Sequence, residues 1–517
     1  MSAMTASSIS SVARVEGIEL DLIASNMLPA SESQLRQDAD DSDAATLHSS
    51  IAQPASEVQS QAGLISASAS ASAAASISAG EEILSTQTGD NLAPVDGGKG
   101  AWLYLLGAVL TEALSFGIAY SQGTFLAYHQ TNPASPFHHA SPSALSAVGS
   151  IMTGATFAMP YLAHGFFQAN PRLVRKIYAG VTVCSTLAVL AASFLPDGAA
   201  VGLIILQGVI PGICGGLAFL PAQMWLSQWF DKRRGAAASV MYLGSGVGGV
   251  IFPLLLDAFL KATNFRWTLR AQGAIQLVGG LTALHIMHPR LPSAVSSISP
   301  FARSQWRRYI PGSWRPLLCV SGTVGGVITL LQAAAWTAIS LYLSTLCISI
   351  GLSERTANGV LSAYNGSAVL SFMIVAAVVD RLSTGTLMAI STAGCGLAAY
   401  LLLGFASTLG VVLPFVLLFG VLGAGFSTFV VTMARTIVER YTVGADFTQV
   451  SCIYILIRGL GATAGPLVAS VLYDVNKAGE ADLWGGHGMQ RLVIFSGSVM
   501  SGVAAISFGF RQQLRVK

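Results

Sequence analysis

The chain has 517 residues, of which 53% are hydrophobic and only 10% are charged. A soluble domain usually carries about 25% charged residues, so this composition excludes a mainly water-exposed surface and indicates a membrane protein. The formal net charge is +3, but residues 1–95 carry −10 and the remainder carries +13.

The first predicted element is an acidic, Ser/Ala-rich tail over residues 1–95, which contains the run ISASASASAAASISAG at 65–80. This tail cannot bury enough apolar surface to offset the entropy cost of ordering, so we expect it to be disordered. It lacks a basic segment that leads into a long apolar stretch, so we expect a cytoplasmic tail and not a signal peptide.

From residue 100 onward, long apolar segments alternate with short polar connections. A helix needs about 20 apolar residues to cross a hydrocarbon core about 30 Å thick. Twelve segments have this length and lack the alternation of a β-barrel, so they predict an all-α integral membrane protein. The predicted spans are 101–124, 143–168, 177–195, 200–227, 235–260, 268–287, 316–346, 356–379, 386–406, 410–436, 447–472 and 490–510.

The distribution of Lys and Arg between the connections predicts the orientation, because basic residues are enriched in cytoplasmic loops. With a cytoplasmic N-terminus, sixteen Lys and Arg residues fall on the cytoplasmic side and six on the outer side. We therefore expect both termini in the cytoplasm, and the plasma membrane is favoured over the vacuolar membrane.

Two short segments recur weakly along the membrane region. LQGVIPG at 206–212 resembles LFGVLGA at 418–424, and GSGVGGVIFP ending at Pro253 aligns with RGLGATAGP ending at Pro466. The shifts of 212 and 213 residues predict parallel repeats of six helices, the arrangement of major facilitator transporters. The expected divisions are a six-helix half at 96–287, a basic cytoplasmic linker at 288–313 and a second six-helix half at 314–517.

The stretch DKRRGAAASVMYLGSGVGGVIFP at 231–253 joins four charged residues to closely spaced glycines. Gly244, Gly246 and Gly249 formally satisfy the dinucleotide-binding pattern, but no strand precedes them and they lie inside an apolar helix. Small residues let membrane helices approach closely, and a proline can kink a span. We assign to helix packing Gly244, Gly246, Gly248, Gly249, Pro253, Gly461, Gly465 and Pro466.

Two segments carry a family resemblance. FDKRRGAAASVMYLGSG at 230–246 resembles the fifth-helix signature of the monocarboxylate porter family, which belongs to the major facilitator superfamily. VDGGKGAWLYLLGAVL at 95–110 resembles the signature that opens the first helix in fungal members. The resemblance covers 96–517 and implies a fungal-type secondary transporter with the major facilitator fold. Many members move small carboxylates with protons, and fungal members include vitamin porters and exporters of secondary metabolites.

The sequence departs from the family pattern at two places. Phe372 stands where fungal relatives often have an arginine in the eighth helix. The segment FGIAYSQGTF at 116–125 lacks the basic residue of animal members. The chain therefore lacks two basic residues that the resemblance would lead us to expect. Their absence argues against a lactate-type anion site and favours export of an acidic metabolite over lactate-like uptake.

Two charged residues lie near the middle of their predicted spans, where an uncompensated charge costs at least about 2.5 kcal/mol. Each lies about eleven or twelve residues into its span, which is roughly 18 Å at about 1.5 Å per residue. We expect Arg458 in span eleven to bind an anionic group of the substrate. Glu112 in span one is expected to be a proton site or the counter-ion of Arg458. The alternative is that both are buried for structural reasons.

Other polar residues complete the candidate sites, although single polar groups also serve as hydrogen-bonding contacts between helices. Substrate-site candidates in the spans are Gln122, Gln223, Gln332, Trp336, Tyr364 and Asn365. The resemblance implies a cytoplasmic gate after span eight; the gate candidates are Asp231, Lys232, Arg233, Arg234, Asp380 and Arg381. Their alternative role is to fix the orientation in the membrane. Arg435 and Glu439 are four residues apart and could pair on one helix face.

Signatures of other function classes are missing from the sequence. None of the six cysteines forms a C-x-x-C pair, so neither a disulfide framework nor a zinc site is indicated. No Walker sequence, H-E-x-x-H or serine elbow occurs, so we expect no enzyme activity, no cofactor and no nucleic-acid partner. The expected function is export of a small organic acid or acidic metabolite by a monomer in the bilayer, with alternating access and protons as the candidate coupling ion. The alternatives are an uptake porter for a monocarboxylate or vitamin-like solute, or a transceptor that signals through the tail.

Overall fold

The computed structural model describes residues 93–291, 314–441, 446–477, 480 and 483–515. Across these residues the secondary structure is helical, and no strand occurs among them. The predicted tail lies almost wholly outside the described residues, and so does most of the predicted linker. Both therefore stay predictions.

Twelve long helices follow one another along the described chain, and each coincides with one predicted span. They are α1 (98–131), α2 (Pro142–Ala169), α3 (Val174–Ala192), α4 (Ala200–Trp229), α5 (Arg234–Ala262), α6 (Phe265–Ile286), α7 (Val320–Ser349), α8 (Glu354–Val378), α9 (Thr384–Leu403), α10 (409–441), α11 (Phe447–Leu472) and α12 (Gln490–Arg515).

Eleven helices in the described part of the chain are long and apolar enough to cross a membrane. The exception is α6, whose 22 residues include Arg266, Arg270 and His285. This helix nevertheless packs against α1 and α3 as part of the bundle. The prediction of an all-α membrane protein with twelve helices is confirmed.

Several helices deviate from a uniform α-helix. α1 contains a π-helical turn at Ala113–Gly117, and α4 and α9 contain similar turns. The predicted span 410–436 coincides with α10, which the structure shows to be interrupted between Gly423 and Phe426. The physical reason is that the N–H of Gly425 donates to Oγ of Ser371 in α8 (2.9 Å) at this break.

The twelve helices pack as two groups of six, α1–α6 and α7–α12. The main contacts between the groups are α2 with α11, α5 with α8, and α5 with α10. In a repeat of six helices, α2 is equivalent to α8, and α5 is equivalent to α11. The contact between α2 and α11 is then equivalent to the contact between α8 and α5. This pseudo-symmetry confirms the two six-helix halves of the predicted fold.

Large apolar side chains cover much of the outer surface. Trp102, Leu187 and Val471 are 58%, 57% and 79% exposed, respectively. Extended apolar surface of this kind is unfavourable in water and is stable in contact with lipid.

The two ends of the bundle are named here after α8. Asn358 lies in the first turns of α8, and Asp380 lies just beyond its last residue. Because consecutive helices run in opposite directions, α5, α7 and α11 begin at the Asp380 end and extend toward the Asn358 end.

Candidate functional site

At the Asp380 end, a carboxylate from one half caps a helix of the other half. The N–H groups of Gly235 and Ala236, in the first turn of α5, donate to Oδ1 and Oδ2 of Asp380 at 3.1 and 2.9 Å. The first N–H groups of a helix have no partner within the helix and carry partial positive charge. Asp380 therefore holds α5 against the end of α8.

A second contact between the halves comes from α10. Nη1 of Arg435 donates to the backbone carbonyl of Asp231 (2.8 Å), and Nη2 lies 3.8 Å from Oδ1 of Asp231. Nε of Arg435 also donates to Glu439 (2.7 Å), so the predicted pair between these two residues is confirmed. The sequence did not indicate that the same arginine reaches across to the first half.

The third contact joins α2 to the start of α11. Nε2 of His164 lies 2.9 Å from Oδ2 of Asp446, and this pair is close in distance but does not have hydrogen-bond geometry. Oδ1 of Asp446 accepts from the N–H of Thr448 (3.0 Å) and so caps α11. Burial alone would raise the pKa of Asp446, but His164 and the backbone N–H groups outweigh it and lower the pKa.

The segments that carry the family resemblance contact each other. The Asp96 carboxylate accepts from the N–H groups of Asp231, Lys232 and Arg233 at 2.9–3.0 Å. Burial would raise the pKa of Asp96, but these three bonds outweigh it and lower the pKa. The loop before α5 is therefore positioned by the segment before α1.

The remaining gate candidates differ in their contacts. Arg234 pairs with Asp231 at 3.1 Å, and its guanidinium lies over the ring of Phe447 at 4.7 Å. The exposed side chains of Lys232, Arg233 and Arg381 form no ion pair with another described residue. The gate assignment itself stays a prediction.

Arg458 lies buried at mid-depth, where α11 packs against α7. Its Nη1 donates to Oε1 of Gln332 (2.8 Å), and Nε2 of Gln332 donates to the carbonyl of Gly423 (3.2 Å). Gln332 is neutral, so it orients the guanidinium without neutralising it. No carboxylate of the described residues lies within ion-pair distance of Arg458.

Glu112 is also buried, and its Oε2 has no hydrogen-bond partner. Glu112 and Arg458 form no ion pair in the described structure. The Cβ of Glu112 lies where α1 packs against Gly244 of α5. The role of Glu112 as a proton site or as the counter-ion of Arg458 stays a prediction.

Three tyrosines lie close enough to Arg458 to interact with its charge, and the sequence analysis identified only Tyr364 among them. The rings of Trp336 and Tyr364 stack with centroids 4.8 Å apart. Tyr120 and Tyr242 were missed, although both lie close enough to Arg458 to interact with it electrostatically, as does Tyr364. The available signal was a tyrosine inside each signature-bearing span, in α1 and in α5.

The other polar candidates occupy separate positions. Nδ2 of Asn365 in α8 donates to the carbonyl of Gly249 in α5 (3.3 Å), across the two halves. Gln122 accepts from Gln207 (3.2 Å) inside the first half. Gln223 is fully buried, and neither of its side-chain polar atoms has a partner. The structure therefore does not bring all six polar candidates together.

The Asn358 end differs from the Asp380 end. Among the described residues, the hydrogen bond nearest the Asn358 end that joins the two halves is that between Asn365 and Gly249. Tyr120 is 45% exposed although it lies within electrostatic range of the buried Arg458. Tyr120 lies eight residues beyond Glu112 in α1 and therefore toward the Asn358 end.

Glycine lets equivalent helices approach in the two halves. A Cβ at Gly244 of α5 would collide with the carbonyl oxygen of Val109 in α1. A Cβ at Gly461 of α11 would collide with the carbonyl oxygen of Leu330 in α7. Of the other packing candidates, Gly248 faces α1, Gly246 and Gly249 face α8, Gly465 faces α7, and Pro253 and Pro466 lie inside their helices.

Comparisons with known proteins agree with this geometry. Residues 103–466 match the Major Facilitator Superfamily. The MFS-type transporter pytF of Aspergillus terreus is 26% identical over 303 residues, which cover 58% of this chain and 96% of pytF. The Fujikurins efflux protein of Gibberella fujikuroi is 31% identical over 198 residues, which cover 38% of this chain and only 41% of that relative.

Among solved structures, the chain resembles the human organic anion transporter MFSD10 (TETRAN). The TM-score is 0.52 at 16% identity, and the match covers 80% of this chain and 97% of that chain. This likeness concerns the fold alone. Because the superfamily match spans most of the chain and the helices form two packed halves, the protein belongs to the Major Facilitator Superfamily and is a multi-pass membrane transporter.

Proposed function

We propose that this transporter exports a small organic acid or acidic metabolite by alternating access. The observation that carries the proposal is the buried guanidinium of Arg458, which lies at mid-depth with the neutral amide of Gln332 as its hydrogen-bonded partner. A buried cation that has no carboxylate partner is unfavourable unless another anion binds to it. The substrate would supply that anion.

The access route supports the same function. The halves are bridged at the Asp380 end by Asp380, Arg435 and His164, whereas the hydrogen bonds between them stop at Asn365 on the other side. In alternating access, one end closes while the other exposes a shared site near the middle of the membrane. We assign the Asp380 end to the cytoplasm, consistent with the excess of basic residues there, and the chain to the plasma membrane.

The proposal also includes the direction of transport and its coupling to protons. The efflux named for the Fujikurins protein supports export, although that relative matches over less than half of its length. Glu112, whose Oε2 has no partner, is the group we propose to take up and release a proton. The contact between the two signature segments through Asp96 supports a place in the monocarboxylate porter branch.

The experiment compares metabolites in cells and medium for a strain that lacks the gene. The strain is complemented with wild type, Arg458→Lys, or the control Arg355→Gln, whose side chain is exposed at the Asn358 end. We expect the deletion to retain an acidic metabolite inside the cells, and wild type and R355Q to restore its release. We expect R458K to reach the membrane but fail to restore release, because an ammonium cannot hold Gln332 and a carboxylate together as a guanidinium fork does.

Two results would contradict the proposal. If the deletion strain showed only slower entry of a solute, the protein would be an uptake porter. If R458K restored release fully, Arg458 would have a structural role and the anion site would lie elsewhere.

A further inference from the structure

The charge of the Arg458 site points to a substrate with one negative group. Arg458 is the only Lys or Arg at mid-depth in the described helices, and its partner Gln332 is neutral. A second carboxylate on the substrate would find no cation there, and its desolvation would be uncompensated. The site therefore favours monoanions over dianions.

A rigid aromatic platform lies next to this charge. Trp336 is one turn from Gln332 on α7, toward the Asn358 end, and is only half-buried. Its indole stacks on Tyr364 at 4.8 Å and on Phe419 at 5.4 Å, with interplanar angles of 29° and 12°. Because Gly423 of α10 has no side chain, the indole of Trp336 packs directly against α10. The free part of this ring system is flat and fixed in position.

The first half contributes a second aromatic surface. Tyr120 lies on α1, the helix equivalent to α7 in the repeat, and is 45% exposed. Its phenol lies within electrostatic range of Arg458, and Phe116 supports its ring at 6.2 Å. Each half thus has one partly exposed aromatic side chain that lies toward the Asn358 end relative to Arg458.

From this geometry we infer that the Arg458 site takes amphipathic monoanions, in which one carboxylate or acidic enol is attached to a flat, largely apolar ring. The acid binds the guanidinium of Arg458, and the ring lies against Trp336 and Tyr120. Stacking of the ring offsets the cost of dehydrating the acid. A short hydrophilic acid has no ring to stack, so this cost would not be offset. This inference rests on the proposed function and names its substrate class.

The test measures competition for tritiated 2-naphthoate on the full chain in lipid nanodiscs. The competitors are unlabelled 2-naphthoate, acetate, 2-naphthalenemethanol and 2,6-naphthalenedicarboxylate, which vary the ring and the charge separately. We expect unlabelled 2-naphthoate to compete at least about tenfold better than each of the others, a difference of about 1.4 kcal/mol. Because this order is measured on wild type, it does not depend on the folding of any variant.

Two variant pairs then locate the site. Trp336→Leu should weaken 2-naphthoate several-fold and leave acetate unchanged, whereas Trp267→Leu, at a 57% exposed position on α6, should change neither. Arg458→Gln should abolish the advantage of 2-naphthoate over the neutral alcohol, and R355Q should preserve it.

The outcomes separate this inference from the proposed function. If acetate competed as well as 2-naphthoate and R458Q weakened both, the substrate class would be wrong and the anion site would stand. If the neutral alcohol competed equally and R458Q had no effect, both the class and the role of Arg458 would be wrong. Absence of saturable 2-naphthoate binding would also overturn the class.

Discussion

The two ends of the helix bundle are held in different ways. At the Asp380 end, several contacts join the halves. They include Asp380 with Gly235 and Ala236, Arg435 with Asp231, His164 with Asp446, Ser239 with Thr428, and Arg234 with Phe447. At the Asn358 end, no described hydrogen bond joins the halves beyond Asn365 and Gly249. This difference supports the proposed alternating access, with the Asp380 end closed in this conformation.

The chemistry of the closed end indicates why it can reopen. Most of its contacts are hydrogen bonds from backbone or side-chain groups, each with a net value of about 0.5–1.5 kcal/mol, or about 1.5–3 kcal/mol where one partner is charged. A few such bonds hold the end closed without making it permanent. A substrate with a modest preference for one state can therefore shift the equilibrium.

The largest expected effect comes from Asp380→Ala. This change leaves two N–H groups at the start of α5 without acceptors, at a cost of about 1–3 kcal/mol. Ser239→Cys serves as a buried reporter in wild type and variants alike, so the loss of its own bond to Thr428 is common to every comparison. In this background, we expect D380A to raise the rate of thiol labelling roughly tenfold or more. The control is Asp257→Ala, which removes an exposed acid paired with Lys261 on the same helix. Equal labelling of D380A and wild type would show that Asp380 does not close this end.

A smaller effect is expected from Arg435→Gln. The variant loses the charged hydrogen bond to the carbonyl of Asp231, which should cost about 1–2 kcal/mol and raise labelling of Ser239→Cys several-fold. Asp231→Asn should have a weaker effect, because it leaves that carbonyl intact and weakens only two exposed side-chain contacts, with Arg435 at 3.8 Å and with Arg234 at 3.1 Å. An Asp231→Asn effect larger than that of R435Q would reverse this assignment.

The third prediction concerns pH at the contact between His164 and Asp446. A carboxyl with a lowered pKa contributes stability above its usual range and loses it as the pH falls through the lowered value. We therefore expect spin labels at positions 232 and 381 to move apart only at acid pH. His164→Gln removes a group that lowers this pKa, so the same movement should begin at higher pH. An unchanged pH profile in H164Q would contradict the role of this pair.

Asp96→Ala is expected to have the smallest effect on the contacts between the two halves. Asp96 binds the loop 231–233 within its own half, so its loss should lower the free energy of unfolding by about 1 kcal/mol. Labelling of Ser239→Cys should hardly change. Thermal unfolding in detergent and the labelling assay together distinguish a contact within one half from a contact between halves.

The helices could be predicted from the sequence because lipid restricts what a spanning segment can be. Long apolar runs fixed the twelve helices to within a few residues, and the predicted span 447–472 coincides with α11. The break in α10 could not be predicted, because it depends on a hydrogen bond from Gly425 to Ser371 in another helix. The close approach at Gly244 fits its predicted place at a helix contact.

The site was less accessible to prediction. Mid-span charge identified Arg458 and Glu112 because charges are rare in lipid, but spacing along a helix does not reveal which residues face each other. The described hydrogen bond of Arg458 goes to Gln332, whereas Gln122 pairs with Gln207 and Glu112 forms no ion pair with Arg458. Tyr120 was overlooked because its place in a signature-bearing span does not by itself show that it lies near Arg458.

The central claim is that the two ends close alternately around the Arg458 site. The most direct test is a pair of spin-label distance measurements in a background without native cysteines, one between positions 232 and 381 and one between positions 150 and 358. In wild type, we expect a short distance at the Asp380 end and a long one at the Asn358 end. Asp380→Ala should lengthen the first distance and shorten the second. Movement of both distances in the same direction, or of the first alone, would contradict the account.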